Sequence, residues 1–210
     1  MGSLLLAAAV IGSGIMAERL ADGNLAVALL ANTGATVAAL AVLIALFGPV
    51  SGAHFNPIIT LVATANRSLR IDEACGYLAV QVVGCCLGAL LANAMFELPL
   101  VQFSTHARTG AAQWLSEGVA TAGLVLIAFT SPTFKDAAWR VSAWIGAAYW
   151  FTASTSFANP AITVGRSLSD TFAGISPADA PAFVVAQVVG GVFGALLFRL
   201  FRPVVPAQDA

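Results

Sequence analysis

Six long apolar runs divide the chain: Gly2–Ala17, Leu25–Phe47, Ala74–Phe96, Trp114–Ser131, Ala137–Ser156 and Ala182–Phe201. A transmembrane helix wants about 20 residues, so the first run is short and the rest suffice. Two further apolar segments open on Asn-Pro: Asn56-Pro57-Ile58 and Asn159-Pro160-Ala161. Asn caps free amides at a helix start, and Pro suits the first helical position because it has no N–H to lose. The pattern predicts short helices from Pro57 to Arg67 and from Pro160 to Ser169. Each is about ten residues, or roughly 15 Å. End to end they measure about 30 Å, the thickness of a hydrocarbon core, which makes them half-helices whose N-termini meet in mid-membrane.

Composition agrees. The chain is 59% hydrophobic and 9% charged, against about 25% charged in soluble domains. A net charge of −1 without a basic cluster gives no sign of nucleic-acid binding. No charged leader or cleavage site precedes the apolar sequence, so no removable signal peptide is read. The 210 residues leave room for about six spans in a single membrane domain, 1–210, with short connections. A cytoplasmic N-terminus puts Arg67, Arg70, Lys135, Arg140, Arg199 and Arg202 inside, and Arg19, Arg108 and Arg166 outside.

The chain repeats itself. Gln81-Val82-Val83-Gly84 followed by Gly88-Ala89-Leu90-Leu91 returns as Gln187-Val188-Val189-Gly190 followed by Gly194-Ala195-Leu196-Leu197. Repeat one covers 1–96 and repeat two 113–202, each with three spans and one Asn-Pro box. Three is odd, so the second copy enters the membrane inverted. Inverted repeats with broken helices build channels and transporters. The Gly-x-x-x-Gly pairs suit close helix packing. Each half-helix N-terminus carries about half a positive charge, and two facing the pore centre repel cations. Asn56 and Asn159 are expected to hold their amides towards the pore as donors. Backbone carbonyls near Gly52–Phe55 and Ser156–Ala158 are the expected acceptors.

On the segment Ser51-Gly52-Ala53-His54-Phe55-Asn56-Pro57, on Asn159-Pro160-Ala161, and on the Gln-containing third and sixth spans, the sequence resembles the aquaporin, or major intrinsic protein, family over its whole length. The resemblance implies an all-α membrane protein with six transmembrane helices and two re-entrant half-helices in an inverted three-span repeat. It implies one pore per subunit, assembly as a homotetramer in membrane lipid, and a multi-pass protein of a bacterial inner membrane with both termini cytoplasmic. Ile58 stands where the family pattern has Ala, which predicts a tighter pore wall there. His54 fits a family position whose ring braces the first loop. Glu117, in the fourth span, fits a Glu that accepts hydrogen bonds from re-entrant backbone. Its repeat counterpart falls at Met1, so the first-half Glu is missing: the first span begins late, or the sequence is truncated.

In water-selective members the third residue after the second-box Asn is an Arg; here it is Ile162. The other filter positions, by ungapped counting, fall on Thr36, Ala147 and Ser156. This set is small and weakly polar, which predicts a wide, arginine-free filter, since width and lining polarity set selectivity. Arg166, four residues beyond Ile162, is expected about 6 Å nearer the exit on the same face. There it would repel cations from a wider vestibule without pinching the pore. Bracing loop carbonyls or pairing with Asp170 is the other reading. Cys75, Cys85 and Cys86 show neither metal nor disulfide spacing, and no cofactor or enzymatic constellation is present. The expected function is a passive channel for water and small uncharged solutes: glycerol-like polyols, urea and metalloid hydroxides such as arsenous acid. The alternative is a secondary transporter of a small solute, against which stands the scarcity of membrane-embedded ionisable residues.

Overall fold

The computed structural model describes residues 1–201, and Arg202 lies outside them. Six long helices form, α1 (Gly2–Leu20), α2 (Leu25–Ser51), α4 (Ile71–Met95), α5 (Ala111–Thr130), α6 (Phe134–Phe151) and α8 (Ala180–Phe201), with short α3 (Pro57–Ala65) and α7 (Pro160–Arg166) between. Five of the six are long and apolar enough to cross a membrane. The remaining one, α6, carries Lys135, Asp136 and Arg140 in its first two turns, so only its later part is apolar throughout. The short first run grows into a full span because α1 continues through Glu18 and Arg19. Arg19 donates to the Phe96 carbonyl at 3.1 Å, and Glu18 accepts from the Phe172 amide at 3.2 Å.

The order long, long, short, long occurs twice, α1–α4 and α5–α8. Helix α1 packs on α4 as α5 packs on α8, and α2 lies against α6 across the halves. This is the inverted repeat. Its polarity is that of a protein in lipid. Leu30, Val42, Leu46, Val83, Leu87, Val189 and Phe193 are exposed, whereas Asn32, Gln81, Asn93, Glu117 and Gln187 are buried. Hydrocarbon accepts the first set, and the second finds partners only inside.

The half-helices are shorter than the sequence suggests, 9 residues for α3 and 7 for α7. Together they span about 24 Å rather than 30 Å. A Schellman turn ends α3: Ser68 donates to the Ala63 carbonyl at 3.0 Å, Arg67 to that of Thr64 at 2.9 Å, and Arg67 takes φ 60°. At the end of α7 the bonds tighten, with Ser167 donating to Val164 through both its amide and its hydroxyl. Neither terminator is an obvious breaker, which is why apolar pattern alone overran both ends.

Close packing rests on glycine at equivalent places. A Cβ at Gly88 would fall inside the contact distance of the Leu4 carbonyl, and one at Gly194 inside that of Ala122. Gly190 meets the Gly118 backbone in the same way. Small residues let backbones approach where lipid supplies no hydrophobic drive between helices. Replacing Gly88 by Ala therefore destabilises by about 1–3 kcal/mol through overpacking, whereas Gly76→Ala meets nothing within 4 Å. Thermal melting of the two variants in detergent checks this: the Gly88 variant melts lower and the Gly76 variant melts as the parent does.

Candidate functional site

The two Asn-Pro boxes clasp one another. The Asn56 side-chain oxygen accepts from the Ile58 amide at 2.9 Å, which caps α3, and its Nδ2 donates to the Ala158 carbonyl at 2.7 Å. Asn159 Oδ1 accepts from the Ala161 and Ile162 amides at 3.0 and 3.3 Å, while its Nδ2 donates to the Phe55 carbonyl at 2.8 Å. Each amide nitrogen has two hydrogens. One of each is spent on the opposite loop, and the second remains for the cavity that both asparagines line.

The loops leading into the boxes leave regular geometry. Gly52 and Ala53 in the first, and Thr155, Ser156 and Ala158 in the second, have φ between 46° and 69°. For residues with a Cβ this costs about 1–2 kcal/mol each, and surrounding bonds must hold it. In the second loop Glu117 does so. Its Oε1 accepts from the Ser154 hydroxyl at 2.6 Å and the Phe157 amide at 2.8 Å. Its Oε2 accepts from the Ala158 amide at 2.8 Å and from Gln187 Nε2 at 2.6 Å. Gln187 also donates to the Thr163 hydroxyl on α7 at 3.0 Å.

The first loop has the same glutamine without the acid. Gln81 Nε2 donates to the Thr60 hydroxyl on α3 at 2.9 Å and to the His54 carbonyl. Where a carboxylate would reach the loop, the Phe55 ring packs against Gly2 instead. His54 packs against Tyr77 with ring centroids 5.3 Å apart and planes tilted by 55°, and Tyr77 donates to the Ser51 carbonyl at 3.0 Å. Of the carbonyls facing this region, those of Phe55 and Ala158 are taken by the asparagines. Those of Gly52, Ser156 and Phe157 meet no protein donor among the described residues.

A cavity of about 590 Å³ runs past both boxes, lined by His54, Asn56, Asn159, Thr36, Ser156, Ile162 and Arg166 among others. That volume is ample for water and for solutes a few atoms across. Three expectations change here. Ala147 is not on the wall; its side chain is exposed on the outer face of α6. The inward face of that helix is Val141, Ile145 and Tyr149, four apart, and Tyr149 donates to the Thr36 hydroxyl at 3.4 Å. Counting back through the non-helical Thr152–Ala158 carries no information about helix rotation. Ile58 does not narrow the wall either. It is buried with Val62 and Val125, and its methyl fills the space left by Gly191. Arg166 makes no pair with Asp170, which instead accepts from the Thr105 amide at 2.8 Å and from its hydroxyl. Arg166 is 2% exposed, donates through Nε to the Ala173 carbonyl and lies over the Phe157 ring. Pro57, Pro160 and Ala161 are helix-start residues, with Ala161 fully buried. No cluster of metal-ligating side chains occurs among the described residues. Sequence reasoning missed Tyr149, Phe157 and the Gln–Thr pairs; the i, i+4 pattern Val141, Ile145, Tyr149 was the available signal for the first.

The family model described as "Major intrinsic protein" matches residues 1–138 and 130–209. The chain is 49% identical over 209 residues to Aquaglyceroporin AqpS of Rhizobium meliloti (strain 1021), covering 98% of this chain and 89% of that protein. Over 177 residues it is 27% identical to Aquaporin NIP3-1 of Arabidopsis thaliana, covering 77% and 54%. Its fold superposes on the X-ray structure of the aquaglyceroporin from Plasmodium falciparum with a TM-score of 0.71 at 17% identity, covering 98% and 93% of the two chains.

Glu117 joins four donors, so its neutral isostere tests what it does. Glu117→Gln places an NH₂ where two of those donors point. Each donor left without an acceptor costs about 1–3 kcal/mol. The expected result is a lower melting temperature and reduced assembly, with flux per assembled molecule largely kept. A variant that melted normally but passed nothing would make Glu117 a permeation residue instead.

Proposed function

The chain belongs to the major intrinsic protein family, and from that premise we propose that it is a passive transmembrane channel for water and small uncharged solutes, not an enzyme. The observation that carries the reading is the reciprocal clasp of Asn56 and Asn159 on the wall of a continuous cavity. A water accepting from both spare amide hydrogens turns its own hydrogens outward, which breaks a proton-conducting file. The N-terminus of each half-helix adds about half a positive charge at the same depth, repelling cations. Most of the remaining wall is apolar, including Leu6, Val10, Leu40, Ile44 and Ile162. Such a wall slides solutes past without holding them.

The solutes are those that fit a partly apolar pore with a few donors: glycerol-like polyols, urea and metalloid hydroxides such as arsenous acid. The 49% identity to the aquaglyceroporin from Rhizobium meliloti supports polyols over water alone. Ile162 supports the same range, because an isoleucine at that point of the wall offers no donor and no charge. Thr36, Tyr149 and Ser156 supply the nearby hydroxyls. His54 braces the first loop through Tyr77 and Thr60. We place the protein as a homotetramer in a bacterial inner membrane, with both termini cytoplasmic.

Stopped-flow measurements on proteoliposomes test the reading. Water and glycerol flux rise above the lipid background, while proton and potassium conductance do not. Saturating flux, or flux that needs an ion gradient, would decide for a transporter. Ile162→Arg puts a long cation into the wall and is expected to cut glycerol or arsenous acid uptake about tenfold, a barrier increase of roughly 1.4 kcal/mol, while keeping part of the water flux. Unchanged uptake in that variant would take Ile162 off the constriction.

A further inference from the structure

We propose that Ile58 is the positioning residue that aims the Asn56 amide at the pore, and that Gly191 on α8 is the seat that holds it. The proposal rests on the channel reading and deepens it. The two boxes are not capped alike. Asn159 Oδ1 accepts from two amides of α7, those of Ala161 and Ile162. Among the described residues Asn56 Oδ1 accepts from one, that of Ile58 at 2.9 Å. The first loop also lacks the carboxylate that gathers the amides of the second. The aim of Asn56 therefore depends on where a single amide stands.

The side chain of Ile58 fixes that amide. It is 2% exposed and packs with Val62 and Val125. A Cβ at Gly191 would fall inside the contact distance of its γ2 methyl, and the three nearest atoms there all belong to Ile58. The glycine is a notch for this one side chain, at a place where alanine would otherwise favour the helix. Gly191 lies one turn beyond Gln187, which donates to Glu117 and to Thr163 on α7. One face of α8 thus holds both half-helices, α7 by hydrogen bonds and α3 by shape. Ile59, the next residue, lines the cavity with Asn56, so a shift of Ile58 in its notch moves the pore wall.

The second half solves the same packing with the sizes exchanged. Counting four from each glutamine pairs Gly191 with Cys85, and counting two from each box asparagine pairs Ile58 with Ala161. Cys85 and Ala161 belong to one buried cluster. The gap there lies in the half-helix, where a Cβ at Gly165 would press on the Cys85 carbonyl and Cβ. Bulk and gap must therefore change together.

That coupling supplies the test. With residue 58 cut back to alanine, a Cβ at residue 191 would lie 3.7 Å from the Cβ of residue 58, an ordinary contact. The experiment compares wild-type protein, Ile58→Ala, Gly191→Ala and the double variant in proteoliposomes, reading proton leak and glycerol and water flux per assembled channel. Ile58→Ala is expected to raise the proton leak about fivefold, the scale of one net hydrogen bond. Gly191→Ala drives α3 towards the cavity and cuts glycerol flux about fivefold, the low end of an overpacking cost, with less effect on water. The double variant returns both readouts to within about twofold of wild type, because residues in contact do not act additively. An Ile58→Ala protein that assembles with wild-type leak and flux overturns the proposal, even if it melts lower, since packing alone would do that. A double variant carrying both defects overturns it too. If Ile58→Ala fails to assemble, the double variant decides: assembly with wild-type leak supports the seat, and failure overturns it. Wild-type protein with no flux above lipid overturns the channel reading on which the proposal rests.

Discussion

Backbone that leaves the helix at membrane depth must find its hydrogen bonds within the protein or from water in a cavity it lines, and that constraint shapes this molecule. Two loops break the rule of unbroken helices, and each is closed by the other. Asn56 reaches the Ala158 carbonyl and Asn159 reaches that of Phe55, so neither loop is satisfied alone. The clasp explains why two short helices, which would be marginal in isolation, persist at the centre. It also leaves donors over, and those leftover donors are the pore's polar surface.

The two halves meet the constraint with different chemistry. In both, a buried glutamine on the last long helix donates to a threonine on the half-helix: Gln81 to Thr60 and Gln187 to Thr163. In the second half the glutamine's other hydrogen goes to Glu117, which gathers two loop amides and a hydroxyl as well. In the first, the same hydrogen goes straight to the His54 carbonyl, and Phe55 fills the space beside Gly2 with apolar bulk. A carboxylate accepting four bonds holds its loop more tightly than one amide and a packed ring. The second loop accordingly carries three left-handed residues with side chains where the first carries one.

The end of the molecule beyond α7 is braced by contacts between two connecting segments. The segment 98–110 runs along 167–179, with Gln102 donating to the Leu168 carbonyl at 3.3 Å, Ser104 to that of Ser167 at 3.0 Å, and the His106 carbonyl accepting from Ser176 at 2.7 Å. Arg108 ties the same strap to Gly174 and lies over Phe157. Loop order at the mouth and side-chain order in the pore therefore depend on the same few contacts.

The sequence by itself determined the number and type of elements. Apolar run length, Asn-Pro starts and a hundred-residue repeat were enough for six spans and two half-helices, because in lipid the backbone allows few alternatives. It also marked Asn56, Asn159 and Glu117 as chemically unusual, since a cap pair and a lone acid in apolar surroundings need partners. The rest was decided by the tertiary structure. Whether Ala147 or Tyr149 faces inward depends on the rotation of α6, which the irregular Thr152–Ala158 segment uncouples from the second box. Ile58 turned away from the cavity because Gly191, far along the chain, left room for its methyl. Arg166 turned inward because the Phe157 ring and the Ala173 carbonyl stood where its side chain could reach them. Periodicity reads a position on one helix; it does not read what another helix leaves empty or offers across the gap.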